Sequence, residues 1–232
     1  MNLERIVYTC ITAAYESPKP IAPSRNVQAV LFTDTPGAEA PGWEVRPLAW
    51  TDDADPVRVA RWHKHHPHKL FPRANVSLWI DGTHTPIVDV NTIFATLGKN
   101  DMALFKHPWW NTVAREATEI LRWKLDDPEA VARTMQSLLR SGFRDNRGLW
   151  CSSVLVRRHT PALIAAQKRW WSYICRGSRR DQLAFPQVLR ETGLTVSNLP
   201  GACRGKVRAG VKHRPSPFFD VVLHNSRTFR KT

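Results

Sequence analysis

The feature that most constrains the fold is the alternation of short apolar runs with longer amphipathic segments. The runs are rich in β-branched and aromatic residues and are bounded by polar or turn residues, as buried strands are. The predicted strands are "RIVYTCIT", "VQAVLFTD", "GWEVRPL", "SLWI", "DMALFKH", "GLWCSSVLVRR" and "FFDVVLH". Three of the intervening segments open with an Asp-Pro or Thr-Pro pair, which is typical of a helix N-terminus. This alternation predicts an α/β protein.

Two of the predicted strands end on a carboxylate. Asp34 follows "VLFT", and Asp81 follows "SLWI". Ligands of open α/β sheets bind beyond the carboxyl ends of the strands, so these two side chains are candidates for one crevice. A hairpin turn is the alternative for Asp81, because Asp-Gly between apolar segments is a strong hairpin signal. Pro86 weakens that alternative, since proline fits poorly inside a return strand.

A basic helix is predicted in "DADPVRVARWHKHHPHKLFP", with Asp55 as N-cap and Pro67 at its end. Its basic residues recur on one side at three- and four-residue intervals: Arg58, Arg61, His65 and His68. A solvated face is the simpler interpretation of this pattern. A zinc site is disfavoured, because the spacing of the four histidines does not converge on one point and no cysteine or carboxylate stands at a matching distance.

Charge and cysteine content indicate the class of protein and of partner. The 232 residues include 34 Lys and Arg against 20 Asp and Glu, a net charge of +14, which favours a polyanionic partner. The four cysteines show no Cys-x-x-Cys spacing, and no stretch reaches the length of a membrane span. We therefore expect a reduced, cytoplasmic protein with no membrane span and one sizeable core.

Several motifs resemble, in the same order, a glycosyltransferase-like family represented by plant mucilage and turgor-regulation proteins. They are "IVYTCITAAY", "VLFTD", "DPVRVARWHKHHPHKLFP", "SLWIDGT", "FKHPWWNTVAREA", "GLWCSSVLVRRH" and "SRRDQLAFPQVL". The resemblance covers roughly Arg5 to Leu194, and the layout is more distantly similar to glycosyltransferase family eight. It implies a GT-A-like domain over residues 1–199 with a mixed, mainly parallel sheet flanked by helices. Residues 200–232 are then a basic segment that packs on or extends this domain.

The resemblance also implies a nucleotide-diphosphate sugar as donor and Mn²⁺ or Mg²⁺ as cofactor. By position, Asp81 matches the first carboxylate of an Asp-x-Asp metal motif, and His224 resembles the late histidine of such sites. Thr83 stands where the second Asp would be, which leaves metal dependence open. Asp181 and Gln182 resemble the Asp-Gln segment beside the transferred sugar. A capping box formed by Ser178 and Asp181 is the alternative for this segment.

The remaining candidate residues belong to the donor and acceptor sites. By the same resemblance, Arg61 and Lys64 match basic residues that face the donor diphosphate. A glycosyltransferase of this kind would place Thr9, Tyr15 and Asp34 near the nucleotide. The loop-like setting of Trp109 and Trp110, next to His107, makes these three residues candidates for acceptor binding.

The resemblance therefore implies a glycosyltransferase that uses a nucleotide sugar and a hydroxyl acceptor. Because the positive charge exceeds what a donor diphosphate requires, we expect a polyanionic acceptor, with a hydroxymethylated base in DNA as the leading case. A transferase acting on a glycan or lipid is an alternative, as is a non-catalytic nucleic-acid-binding protein on the same fold. The sugar, the nucleotide and the stereochemistry of transfer stay open.

Overall fold

The computed structural model describes residues 4–146, 148–203 and 214–222. Its strands are β1 Glu4–Ile11, β2 Val27–Thr33, β3 Glu44–Pro47, β4 Ala74–Ile80, β5 His84–Pro86, β6 Met102–Lys106, β7 Trp150–Arg158, β8 Val196–Asn198 and β9 Phe219–Val221. Its helices are α1 Pro56–His65, α2 Pro67–Leu70, α3 Val90–Phe94, α4 Val113–Arg122, α5 Pro128–Arg140, α6 Pro161–Arg176 and α7 Phe185–Thr192. Two 3₁₀ turns are Ala95–Leu97 and Asp181–Leu183.

A seven-stranded sheet with the order β3-β2-β1-β4-β7-β6-β8 forms the centre of the fold. Strand β7 is antiparallel to both of its neighbours, and all other adjacent pairs are parallel. The prediction of a mixed, mainly parallel sheet flanked by helices is therefore confirmed. Six strands point their carboxyl ends to one edge, and β7 brings its amino end to that same edge.

Both faces of the sheet are covered by apolar packing. Along β1, Ile6 and Tyr8 belong to one buried cluster, while Val7 belongs to the cluster on the opposite face. The larger cluster includes residues of α4, α5, α6 and α7, and Trp170 is its largest helical side chain. Burial on both faces explains why the sequence shows nearly continuous apolar strands.

The helix starts agree with the capping pattern of the sequence. The side chain of Asp55 accepts a hydrogen bond from Val57 N, and Asp127 and Thr160 cap α5 and α6 in the same way. Helix α1 ends at His65, and Pro67 then begins the short helix α2.

The hairpin interpretation of Asp81 and Gly82 is wrong. Strand β4 pairs with β1 and β7, whereas β5, which follows the Asp-Gly pair, pairs with β9 in a separate two-stranded sheet. A tight turn is present, since His84 N donates to Asp81 O at 2.9 Å. The turn redirects the chain away from the central sheet, so Asp81 stays at the sheet edge.

Candidate functional site

An ionic cluster lies at the edge where the parallel strands end. Lys64 Nζ lies 2.7 Å from Asp181 Oδ2 and 3.7 Å from Asp81 Oδ1. Arg61 Nε and His65 Nε2 lie 3.7 and 3.6 Å from the same Asp181 oxygen. The cluster therefore joins helix α1, the end of β4 and the 3₁₀ turn Asp181–Leu183, and it unites four residues that the sequence assigned to donor, metal and catalytic roles.

The cluster is buried at its base and open at its top. Lys64 and His65 are fully buried and Asp181 is 2% exposed, whereas the side chains of Arg61 and Asp81 are 15% and 28% exposed. Charged groups are rarely buried unless they are paired, and here each buried charge has an opposite charge beside it. The solvated-face interpretation of α1 is wrong for this side of the helix, because these residues face the protein.

The electrostatic environment keeps both carboxylates ionised. Burial raises the pKa of Asp181, but the charges of Arg61 and Lys64 lower it by more than burial raises it. The pKa of Asp181 is therefore held well below its usual range. The same balance of burial against Lys64 and Arg61 lowers the pKa of Asp81. Burial lowers the pKa of His65 to about 4, so its imidazole is neutral at neutral pH.

Several buried polar atoms of the cluster make no regular hydrogen bond within the described residues, although they lie in ion-pair range of one another. They are Arg61 Nε, Lys64 Nζ, His65 Nε2 and Asp181 Oδ2. Buried polar groups of a folded protein are nearly always satisfied. Here the four atoms face one another as an ion-pair network, and the partly exposed side chains of Arg61 and Asp81 are the part of the cluster that a ligand can reach.

The turn that carries Asp181 is fixed by hydrogen bonds to its neighbours. Ser152 Oγ donates to Asp181 Oδ1 at 2.8 Å, and Trp170 Nε1 donates to Asp181 O at 2.7 Å. Gln182 Nε2 donates to Trp150 O at 3.3 Å. The capping-box alternative is wrong, because Arg180 occupies the N-cap and the Asp181 carboxylate faces Lys64.

Two further residues that the sequence did not indicate hold Lys64 in place. Arg157 is fully buried in β7, where it donates to Lys64 O and to Tyr8 Oη, each at 2.6 Å. Tyr8 Oη donates in turn to Lys64 O at 3.0 Å. An arginine inside the apolar strand "VLVRR" was the available signal, because a buried cation requires acceptors around it.

The proposed nucleotide-binding residues surround the end of β1. Thr9 and Asp81 line one small cavity of about 10 Å³, enough for about one water molecule. Asp34 is exposed, and its carboxylate accepts from Ala13 N at 2.9 and 3.0 Å, which holds the loop that follows β1. Tyr15 is 41% exposed, and burial together with Glu16 raises its pKa to about 12. Thr9 thus lies beside Asp81, whereas Asp34 holds a neighbouring loop.

The proposed acceptor residues pack together after β6, at the same edge. The His107 ring lies 4.6 Å from that of Trp110, and the two tryptophan rings, Trp109 and Trp110, are 5.4 Å apart. Trp110 Nε1 donates to Glu116 Oε2 at 2.8 Å, and His107 Nε2 lies 3.5 Å from that oxygen. Buried Glu116 is thus a residue of this group that the sequence did not indicate, and acceptor binding by the group stays a prediction.

The predicted cation site rests on Asp81 alone among the described residues. His224 lies outside them, and within them no group of three or more His, Cys, Asp or Glu residues is placed to hold a metal ion. Thr83 Oγ1 lies 3.0 Å from His84 Nδ1, so the residue in place of the second carboxylate already has a partner. Since Asp81 and Asp181 both face Lys64, the described side chains do not fit a divalent cation.

Comparison with known proteins identifies the family. The profile of the TOD1/MUCI70 glycosyltransferase-like domain matches residues 43–199. The chain belongs to this family. The match contains α1, β4 and the Asp181 turn, and it confirms the resemblance seen in the motifs.

Individual proteins share only low sequence identity with this chain. The alkaline ceramidase TOD1 of Arabidopsis thaliana is 26% identical over 137 residues, which cover 52% of this chain and 29% of that protein. The chain therefore spans less than a third of this relative. Among solved structures, mouse xyloside xylosyltransferase 1 gives a TM-score of 0.49 at 7% identity, covering 85% of each chain. The bifunctional glycosyltransferase WbbM gives 0.48 at 10% identity, covering 85% of this chain and 39% of its own.

The longest described helix of this family member, α6, has 16 residues. Within residues 4–146, 148–203 and 214–222, no helix is long and apolar enough to cross a membrane.

Proposed function

We propose that the ionic cluster binds a nucleotide-diphosphate sugar and that the protein transfers the sugar to a hydroxyl acceptor. The observation that carries this proposal is the position of Arg61 and Lys64 against two ionised carboxylates, Asp81 and Asp181, within the stretch that matches a glycosyltransferase-like domain. The nucleoside diphosphate leaves as an anion, and fixed cations stabilise the charge that develops on it.

Each residue has a role that follows from its exposure. Arg61 is partly exposed and can donate paired hydrogen bonds to diphosphate oxygens, while the buried Lys64 contributes positive charge from beneath. Asp81 is ionised and the most exposed acid of the cluster, so it can accept hydrogen bonds from sugar hydroxyls. Asp181 holds the cations in position, with Gln182 beside it.

A screen of nucleotide sugars tests the donor part of the proposal. A true donor stabilises the folded state by mass action, so it raises the melting temperature and is slowly hydrolysed in the absence of acceptor. Hydrolysis should disappear in Asp81→Asn and persist in Asp52→Asn, which removes one exposed acid elsewhere. If no nucleotide sugar shifts the melting temperature or is hydrolysed, the proposal is wrong.

A polyanionic acceptor is supported by charge and by one cavity. The net charge is +14, and a cavity of about 280 Å³ is lined by three arginines, Arg133, Arg140 and Arg176. Arginine side chains form paired hydrogen bonds with phosphate groups, although Arg133 also lies 3.6 Å from Glu129 and 3.8 Å from Asp127. DNA that carries hydroxymethylated bases would supply both the phosphates and the hydroxyl nucleophile.

Transfer of a labelled sugar decides between acceptors. We expect label on DNA with hydroxymethylated pyrimidines and none on unmodified DNA. Robust transfer to a glycan or to ceramide instead would refute the DNA acceptor, and the ceramide arm is included because the plant relative is named a ceramidase. DNA binding without any nucleotide-sugar chemistry would favour the non-catalytic alternative.

A further inference from the structure

The Lys64 ammonium occupies the position between two carboxylates that a bridging metal ion would require. Its Nζ lies 2.7 Å from Asp181 and 3.7 Å from Asp81, and it lies 5.7 Å from the centre of the Trp79 ring. The side chain is fully buried. An additional cation between these carboxylates would meet both the lysine and the guanidinium of Arg61, and like charges at such distances repel strongly in a poorly solvated site.

One oxygen of each carboxylate already has a donor, and the other oxygen of Asp181, Oδ2, lies against Lys64 Nζ at 2.7 Å. Trp79 Nε1 donates to Asp81 Oδ1 at 2.7 Å, and Ser152 Oγ donates to Asp181 Oδ1 at 2.8 Å. Mg²⁺ and similar hard cations require several oxygen ligands in a regular arrangement. In the resemblance carried by the motifs, Thr83 stands where the second carboxylate would be, so one further ligand is missing.

We propose that Lys64, together with Arg61, replaces the divalent cation, so that this protein binds a nucleoside diphosphate without metal. This inference rests on the proposed function, because it concerns the same donor site. Lys64 acts as a fixed charge beneath the diphosphate, and Arg61 makes the direct contact. The hydrogen bonds of Arg157 and Tyr8 to Lys64 O fix the backbone at this residue before any ligand arrives.

The test is a calorimetric titration of the full chain with UDP, GDP, CDP and ADP in turn. Each nucleotide is titrated once in EDTA and once with Mn²⁺. We expect at least one of them to bind with the same affinity, within about twofold, under both conditions. Binding that requires Mn²⁺ would overturn this inference and leave the proposed function standing. No binding under either condition would overturn the proposed function, and this inference with it.

A pair of lysine substitutions tests the residue itself. Lys64→Met removes the buried charge at similar side-chain volume, and Lys69→Met removes an exposed lysine from α2 as the matched control. In EDTA we expect Lys64→Met to lose about tenfold in nucleotide affinity, the usual scale for one interaction with a charged group, and Lys69→Met to match the unmodified protein. Unchanged affinity in folded Lys64→Met would refute the role of this lysine. If Lys64→Met does not fold, the comparison of EDTA with Mn²⁺ decides alone.

Discussion

Replacing Asp181 by Asn should destabilise the protein far more than an ordinary active-site substitution. Asp181 is 2% exposed and faces Lys64 at 2.7 Å, with Arg61 and His65 within 3.7 Å. Removing one partner of a buried ion pair typically costs about 3–5 kcal/mol, because the other charge is left uncompensated. Asn can still accept the hydrogen bond of Ser152, so we expect the lower end, about 3 kcal/mol, in the free energy of unfolding.

A double-mutant cycle measured by urea denaturation separates pairing from packing. Lys64→Met alone should also cost about 3 kcal/mol or more, but the double variant should cost less than the sum of the two by at least about 1 kcal/mol, because it leaves no unpaired partner. Asp52→Asn, an exposed substitution, should stay within about 0.5 kcal/mol of the unmodified protein. The reasoning is refuted if Asp181→Asn is as stable as this control, or if the two cluster substitutions are additive.

Other predictions concern donor chemistry and pH. Asp81→Asn should abolish transfer with little loss of stability, because the Asn side-chain oxygen can still accept the hydrogen bond from Trp79 Nε1. A folding defect without a specific catalytic defect would contradict this prediction. Arg61→Ala should weaken donor binding about tenfold in a direct titration, and unchanged affinity would show that it faces something else. Burial lowers the pKa of His65 and His159 to about 4 and that of His66 to about 3, so on acidification the unfolded chain takes up these protons first. These three histidines alone should lower the free energy of unfolding by up to about 4 kcal/mol per pH unit between pH ~6 and ~4.5, from three protons at about 1.4 kcal/mol each. Urea midpoints that stay constant in this range would contradict the prediction.

Seven of the nine described strands, the starts of α1, α5 and α6, and the family could be predicted from the sequence because each is encoded locally, whereas the three-residue strands β5 and β8 were not predicted. A continuous apolar run identifies a strand that is buried on both faces, and Asp55 caps its helix through contacts only two residues away. The ordered motifs likewise survive in the linear chain, which is why the family match over residues 43–199 agrees with them. None of these inferences required knowledge of which segments meet in space.

Only the tertiary structure decided what the charged residues do. The helical spacing placed Arg61 and Lys64 near one another, but a solvated face and an ion-pair cluster have the same sequence pattern. Asp181 lies more than a hundred residues away in the chain, and only the packing of α1 against α6 and the following turn brings it to Lys64. The same holds for Arg157, which supports Lys64 O from a strand 93 residues further along the chain. Whether a charge is solvated, paired or buried depends on long-range contacts, and local propensity carries no information about them.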